Sequence, residues 1–305
     1  MEAALFKTFA TPLAYFATVA QVRSVRRAAE ILRIAPSALS RQIRRIEERA
    51  GLPLFERVPR GVNLTPAGEI FFAYAQRWER DFGRLTDELQ GLVGLRVGTL
   101  TVATAEIATY SVVPRAVHAL RQTMPGITVH VNVGHIDDVL RDMAEGKAEI
   151  GILINMPKAA GVRSAWRVRN PIGAVVPSGH KLAGRRDIGI AECLTYPVII
   201  PDESLTSSFA IRRALERTRR GMRIAGTSNR IVSLKALVKA GVGITFLAKL
   251  DVDPDIAAGE LCFVRLTDRD IEAPEISLVV AKHGKLSPAA RQLLALLKRE
   301  LAPTE

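Results

Sequence analysis

Between residues 36 and 65 the chain switches its apolar period, and that switch restricts the fold more than any other feature. Leu39, Ile43 and Ile46 recur at i, i+4 and i+7, one buried stripe on a helix that begins near Ser37, after Ala35 and Pro36. Gly51 supplies a residue able to end it. Pro53 to Thr65 then reads as two short extended pieces around Pro59-Arg60-Gly61, a hairpin with Arg57 and Arg60 near its tip. Upstream, Leu13, Phe16 and Val19 fall three apart on one helical face. A second helix starts with Ser24 as N-cap, and its small Ala28 and Ala29 let a neighbouring helix approach closely. Short helices followed by a two-stranded wing make a winged helix-turn-helix.

The residues outside the stripe give this element a chemistry. Ser37, Ser40, Arg41, Gln42, Arg44 and Arg45 cover the rest of the third helix, and residues 23 to 60 hold 10 Arg and no Lys against 4 Glu. A charged helix face is often just a solvated one. Here hydroxyls, an amide and arginines are mixed within two turns, with no acidic neighbour before Glu47. Hydroxyls and a helix start hold phosphates, while Arg and Gln bond bidentately to base edges in the major groove. Ser37, Ser40, Arg41 and Gln42 are the expected base and phosphate contacts, and Arg33, Arg44, Arg45, Arg57 and Arg60 the phosphate anchors.

Thr65 can cap a further helix with Pro66 in its first position. Phe71, Ala75, Trp78, Phe82, Leu85, Leu89 and Leu92 follow at alternating spacings of four and three, a heptad seam. A helix packed on its own domain would show a wider stripe, so the expectation is a dimerising linker over 66–93. Two recognition helices held a DNA turn apart would read a two-fold related double-stranded site.

From about residue 94 strand and helix alternate: strands at 97–103, 127–133, 149–154, 197–200, 244–247 and 275–281, helices at 112–122, 136–145, 209–217, 231–240 and 289–301. That pattern predicts an α/β sheet, largely parallel, in a 94–305 domain of two lobes.

Composition bounds the function. The 305 residues are 48% hydrophobic and carry a net charge of +12, a globular chain with an anionic partner. Two cysteines leave no room for a disulfide framework or a cysteine-rich zinc module, which points to the cytoplasm. The apolar first 22 residues are interrupted by Lys7 and Pro12 and preceded by Glu2, so they read as a helix and not a leader; no membrane span is expected. Enzyme signatures such as His-Glu-x-x-His, Gly-x-Ser-x-Gly or a phosphate-binding loop are missing, and the 5 His are scattered. No catalytic residue, metal or cofactor is expected.

The quoted residues resemble a family. Ser24 to Glu30, Ala35 to Glu47, Gly51 to Arg57 and Leu64 to Glu69 follow, in order, the DNA-binding domain of the LysR-type transcriptional regulators. Leu100 to Ala103, Pro114, Pro125, Gly134, Leu140, Gly146, Glu149 to Ile152 and Val238 to Ile244 resemble the effector-binding half of the same family. The resemblance implies an effector domain of the type 2 periplasmic binding protein kind, with lobe I at about 94–165 and 270–305 and lobe II at about 166–269. Crossovers then fall near Arg163 to Arg169 and Leu266 to Ile271. It also implies a homodimer or homotetramer. The chain departs from the pattern at Glu149, where the family usually has Asp, and at Ala248-Lys249, where a proline is common.

In α/β sheets, ligands sit beyond the carboxyl ends of strands. On that rule and the resemblance, Thr104, His135, Ser204 and Ser208 are the candidate effector contacts, although serines and threonines at such places equally serve as helix caps. Residues 163 to 235 hold 14 Lys and Arg against 5 Asp and Glu, a field that favours an anionic effector such as a small carboxylate or assists the wrapping of bent DNA. The expected function is promoter-binding transcription regulation under effector control. The rivals are a solute-binding protein with a helical appendage and, more weakly, an α/β enzyme.

Overall fold

The computed structural model describes residues 2–59, 61–92, 97–157, 161–202, 208–217, 222–269, 271–282 and 285–302. The chain divides into two compact units, Met1–Leu95 and Arg96–Glu305.

The first unit contains α1 (Glu2–Val22), α2 (Val25–Leu32), α3 (Pro36–Ala50), β1 (Phe55–Val58), β2 (Gly61–Leu64) and α4 (Pro66–Leu92). Ser24 caps α2, its Oγ accepting from the Arg27 N–H at 3.3 Å. Arg33 closes α2 in the left-handed region, at φ 55°, and its N–H returns to Ala29 and Glu30. One more turn then leads into α3, whose N-cap is Ala35, so Ser37 lies inside the first turn and not at the cap. Gly51 ends α3 at φ 70°. The wing strands pair antiparallel from Phe55 opposite Leu64 to Val58 opposite Gly61.

Phe16, Ala28, Ala29, Leu39, Ile43 and Leu54 form the core of this unit, and Phe71, Phe72 and Ala75 of α4 close it. The linker helix is therefore partly claimed by its own unit. Phe16 meets Phe71 edge-on at 4.8 Å, and Ala75 is buried, so the first two seam positions pack against α1. Trp78 and Phe82 stack at 5.3 Å, whereas Leu85 and Leu89 stay 46% and 42% exposed. The Leu92 side chain lies outside the described residues.

The second unit runs β3 (Val97–Thr104), a single 3₁₀ turn Glu106–Ala108, α5 (Val112–Thr123), β4 (Gly126–Val133), α6 (Ile136–Ala144), β5 (Ile150–Ile154) and β6 (Val162–Arg169). It continues with β7 (Ile172–Pro177), β8 (Asp187–Ile188), α7 (Ile190–Cys193), β9 (Val198–Pro201), α8 (Ser208–Arg217), β10 (Ile224–Ser228), α9 (Ile231–Lys239), β11 (Thr245–Ala248), α10 (Lys249–Ala257), β12 (Leu261–Leu266), β13 (Glu275–Ala281) and α11 (Pro288–Glu300). Lobe I is a sheet of order β4-β3-β5-β13-β6. Lobe II joins β11-β7-β12-β8 to β10-β9 through a parallel bridge between Val198 and Ile244.

Three expectations are corrected here. The sheets are mixed, not largely parallel, because β13 runs antiparallel to both β5 and β6, and β7 antiparallel to β11 and β12. Residues 163–169 are no crossover: they belong to β6, paired along its length with β13, so lobe I extends to Arg169 and the chain crosses at Asn170-Pro171. The return also comes later. The Thr267 N–H still bonds to Ile188, and the Asp268 carboxylate caps Ile190, so residues 266–269 stay with lobe II and the crossing is at Pro274, whose carbonyl accepts from the Asn170 N–H at 2.9 Å. Each crossing carries a proline, Pro171 and Pro274, a residue with no N–H to donate to a strand.

The two departures from the family pattern have identifiable structural consequences. Glu149 reaches α11, accepting from the Ser287 N–H at 2.9 Å and its hydroxyl at 3.0 Å, so the carboxylate ties β5 to that helix start. Without a proline after Leu247, Ala248 is fully buried and α10 starts at once; the Lys249 N–H bonds to Pro171 and the Leu250 N–H to the Asn170 side chain at 3.2 Å.

Candidate DNA interface and effector cleft

On α3, Leu39 and Ile43 turn inward, while Ser37, Arg41, Arg44 and Arg45 are exposed and Ser40 and Gln42 half-buried beside them. Arg33 at the α2 end and Arg57 on β1 are exposed as well; Arg60 lies outside the described residues. None of Arg33, Arg41, Arg44, Arg45 and Arg57 forms an ion pair among the described residues, although Arg26 pairs with Glu30 on α2. The acidic residue nearest Arg41, Arg44 and Arg45 in sequence is engaged elsewhere. Glu47 Oε1 accepts from the N–H groups of Leu54 and Phe55, at 2.9 and 3.0 Å, and so fixes the wing to the helix without neutralising the arginines.

Two glycines set the wing. A Cβ on Gly68 would stand 2.0 Å from the Leu54 carbonyl oxygen, and one on Gly61 2.2 Å from that of Arg23, so only glycine allows α4 and the wing to close on these backbones. Thr65 completes the corner: its hydroxyl donates to Pro53 at 2.7 Å and accepts from the Gly68 N–H at 3.0 Å. The lack of a side-chain cap and of an acidic first-turn residue leaves the α3 N-terminus, where Ser37 lies, positive.

The effector candidates fare differently. Thr104 is enclosed at the end of β3, at 0% exposure, and donates its hydroxyl to the Ala105 carbonyl at 2.8 Å. His135 is exposed at the N-cap of α6, where its N–H bonds to the Asp138 carboxylate at 3.1 Å. Ser204 and the Ser208 side chain lie outside the described residues.

What the sequence reading missed is an ionic junction between the lobes. From lobe I, Glu106 accepts from the Tyr110 hydroxyl at 2.7 Å. From lobe II, Arg230 comes within 3.8 Å of the other Glu106 oxygen, and the Lys235 ammonium sits 4.8 Å from the centre of the Tyr110 ring. Lys235 is buried, donating to Asp255 at 2.7 Å and to the Asp251 carbonyl at 3.0 Å; Lys239 reaches Asp255 at 2.5 Å and also pairs with Glu260. The Ser111 hydroxyl adds a bond to the Leu250 carbonyl at 3.2 Å.

Burial shifts these groups. Asp251 is fully enclosed, and desolvation pushes its carboxyl up to about 8 against the opposing Ala248 N–H and Lys235 charge. Desolvation, with the Glu106 hydrogen bond and charge, raises the Tyr110 phenol to about 12. Hydrogen bonds from Lys235 and Lys239 overcome desolvation and hold Asp255 below the usual carboxylate range. A signal for the junction was present: Lys235 shares a helical face with Ile231, Leu234 and Val238, and Asp251 and Asp255 stand four apart on one turn. A charge within a buried stripe implies a partner.

Among the described residues no group of three His, Cys, Asp or Glu could hold a metal ion, and no helix is long and apolar enough to cross a membrane.

Comparison with known proteins adds the following. Residues 94–302 match the LysR substrate binding domain, and residues 11–69 the bacterial regulatory helix-turn-helix protein of the lysR family. The RuBisCO operon transcriptional regulator of Allochromatium vinosum is 26% identical over 282 residues, covering 91% of both chains. That of Acidithiobacillus ferrooxidans is 28% identical over 252 residues, 83% of this chain and 81% of the relative. Among solved structures, full-length CbnR complexed with its target DNA superposes with a TM-score of 0.64 at 22% identity, over 95% of this chain and 99% of that one, a likeness of fold.

Proposed function

The chain belongs to the LysR family of bacterial transcription regulators, DNA-binding proteins that respond to small-molecule effectors and are not enzymes, and from that premise we propose how its residues divide the work. The third helix, α3, lies in the major groove of promoter DNA, with Ser37, Ser40, Arg41 and Gln42 at bases and nearby phosphates. Arg33, Arg44, Arg45, Arg57 and Arg60 hold the flanking phosphates, the wing arginines from the adjacent groove.

The observation that carries this reading is the set of exposed, unpaired arginines around α3, since a cation without an internal carboxylate is free for an external polyanion. A mobility shift with the intergenic DNA upstream of its own gene tests it. Binding should weaken steeply with salt, log K falling by about 0.9 per log unit of salt for each phosphate neutralised. A flat salt response would refute the interface.

Dimerisation through α4 supplies the second half-site reader. Exposed Leu85 and Leu89, and an apolar groove of about 330 Å³ lined by Leu13, Phe71, Tyr74, Ala75, Arg77, Trp78 and Asp81, favour a second copy of the chain packing here, as a homodimer or a tetramer of two dimers. A small anionic effector, a carboxylate by preference, occupies the cleft between the lobes and biases their arrangement through its differential affinity for the two states. The work is cytoplasmic, where the DNA is.

A further inference from the structure

The junction between the lobes contains three cations, and two are saturated. Lys235 is held by Asp255 and the Asp251 carbonyl, and Lys239 by Asp255 and Glu260. Arg230 differs. Its guanidinium donates no hydrogen bond among the described residues, it is 65% exposed, and its one ion pair is the 3.8 Å approach to Glu106. Glu106 is the opposite: 16% exposed and fixed by the Tyr110 hydroxyl on its other oxygen. Lobe I thus presents a preset carboxylate at the junction, and lobe II a guanidinium fork with donors to spare.

The backbone around Arg230 is built for negative charge. Its N–H donates to Ser228 Oγ at 3.1 Å, which pins it at the end of β10. The first turn of α9 has no acidic residue and no side-chain cap, and the N–H groups of Ile231, Val232 and Ser233 have no acceptor among the described residues. A guanidinium beside an open helix start offers a carboxylate two parallel hydrogen bonds and a favourable dipole. An ion pair of 3.8 Å whose cation is exposed is weak and yields to a better geometry.

We propose that Arg230 anchors the carboxylate of a small anionic effector, and that Glu106 is an internal carboxylate standing in its place until the effector arrives. The proposal rests on the effector-domain reading above. On binding, the incoming carboxylate takes the guanidinium bidentately, and its like charge repels Glu106. Glu106 is bonded to Tyr110, whose ring lies against Lys235 of lobe II, so its displacement loosens a contact between the lobes.

The test uses the full-length protein with acetate as probe, its binding followed by NMR of ¹³C-labelled acetate at fixed ionic strength. Glu106→Gln removes the competitor without changing size and should bind acetate about two- to fivefold more tightly than wild type, the range expected for loss of an exposed pair. Arg230→Gln should abolish binding, and Arg230→Lys, which keeps the charge and loses the fork, should be intermediate. Equal affinity in wild type and Glu106→Gln, retained binding in Arg230→Gln, or no binding to Glu106→Gln overturns the proposal. The same proteins in the DNA mobility shift separate the two levels of argument: normal DNA binding beside unchanged acetate affinities removes Arg230 from its role and leaves the regulator standing.

Discussion

The face of α3 and the junction between the lobes are both cationic, and they treat their cations in opposite ways. Arg41, Arg44 and Arg45 point outward with no carboxylate partner among the described residues, and Glu47, close enough in sequence to have served, bonds to the wing instead. Lys235 and Lys239 have Asp255, Glu260 and a carbonyl converging on them. The difference teaches what each surface is for. In the first case the counter-charge is left to a partner outside the chain, a polyanion in the function proposed above, whereas in the second the protein carries its own.

That contrast can be broken in order of expected effect. The buried junction should respond most strongly, through pH. The Asp251 carboxyl, raised to about 8, keeps a proton in the folded state that the unfolded chain has released above its ordinary range near 4. Stability from this group is therefore greatest at low pH and is lost as pH rises toward 8, at no more than about 1.4 kcal/mol per pH unit. Chemical denaturation across that range, read as wild type minus Asp251→Asn, should show the decline; a difference independent of pH would mean that the carboxyl is not desolvated. Lys235→Met leaves Asp255 with Lys239 alone and strips the Asp251 carbonyl of its donor, a loss of about 3 kcal/mol in the same measurement.

On α3 the effects belong to binding and not to folding. Arg41→Ala with Gln42→Ala should weaken specific DNA binding by about 2 to 3 kcal/mol, some 30- to 150-fold, with the melting temperature unchanged. Unweakened binding would remove α3 as the reader. The smallest change is expected from Arg44→Ala, which should lower affinity for all sequences alike and reduce the salt slope by about 1. Were Arg44→Ala to destabilise the fold instead, the arginine would have an internal partner and the contrast with the junction would fail.

The first unit was legible because its signals are local. Ser24, Gly51, Thr65 and the Leu39-Ile43 stripe act within a few residues of themselves, and each occupies the role its chemistry dictates. The linker seam was legible in period but not in partner: Phe71 and Ala75 satisfy the heptad and yet pack on α1, since a repeat states which face is apolar and not what covers it. The junction between the lobes was the least legible part, because its members are far apart in sequence. Strand ends pointed to Thr104, which is buried, whereas Glu106 and Arg230 meet although they are 124 positions apart in sequence.

Sequence by itself determined the order of elements, the wing, the arginine-studded helix and its family. Periodicity, caps and turns are properties of a few neighbouring residues, and they survive whatever the rest of the chain does. Tertiary structure alone decided the mixed strand directions, the crossings at Pro171 and Pro274, and the pairing of Lys235 with Asp255 and of Arg230 with Glu106. Those depend on which surfaces meet when two lobes close, and an uncompensated buried charge becomes costly only after the chain has brought it out of water.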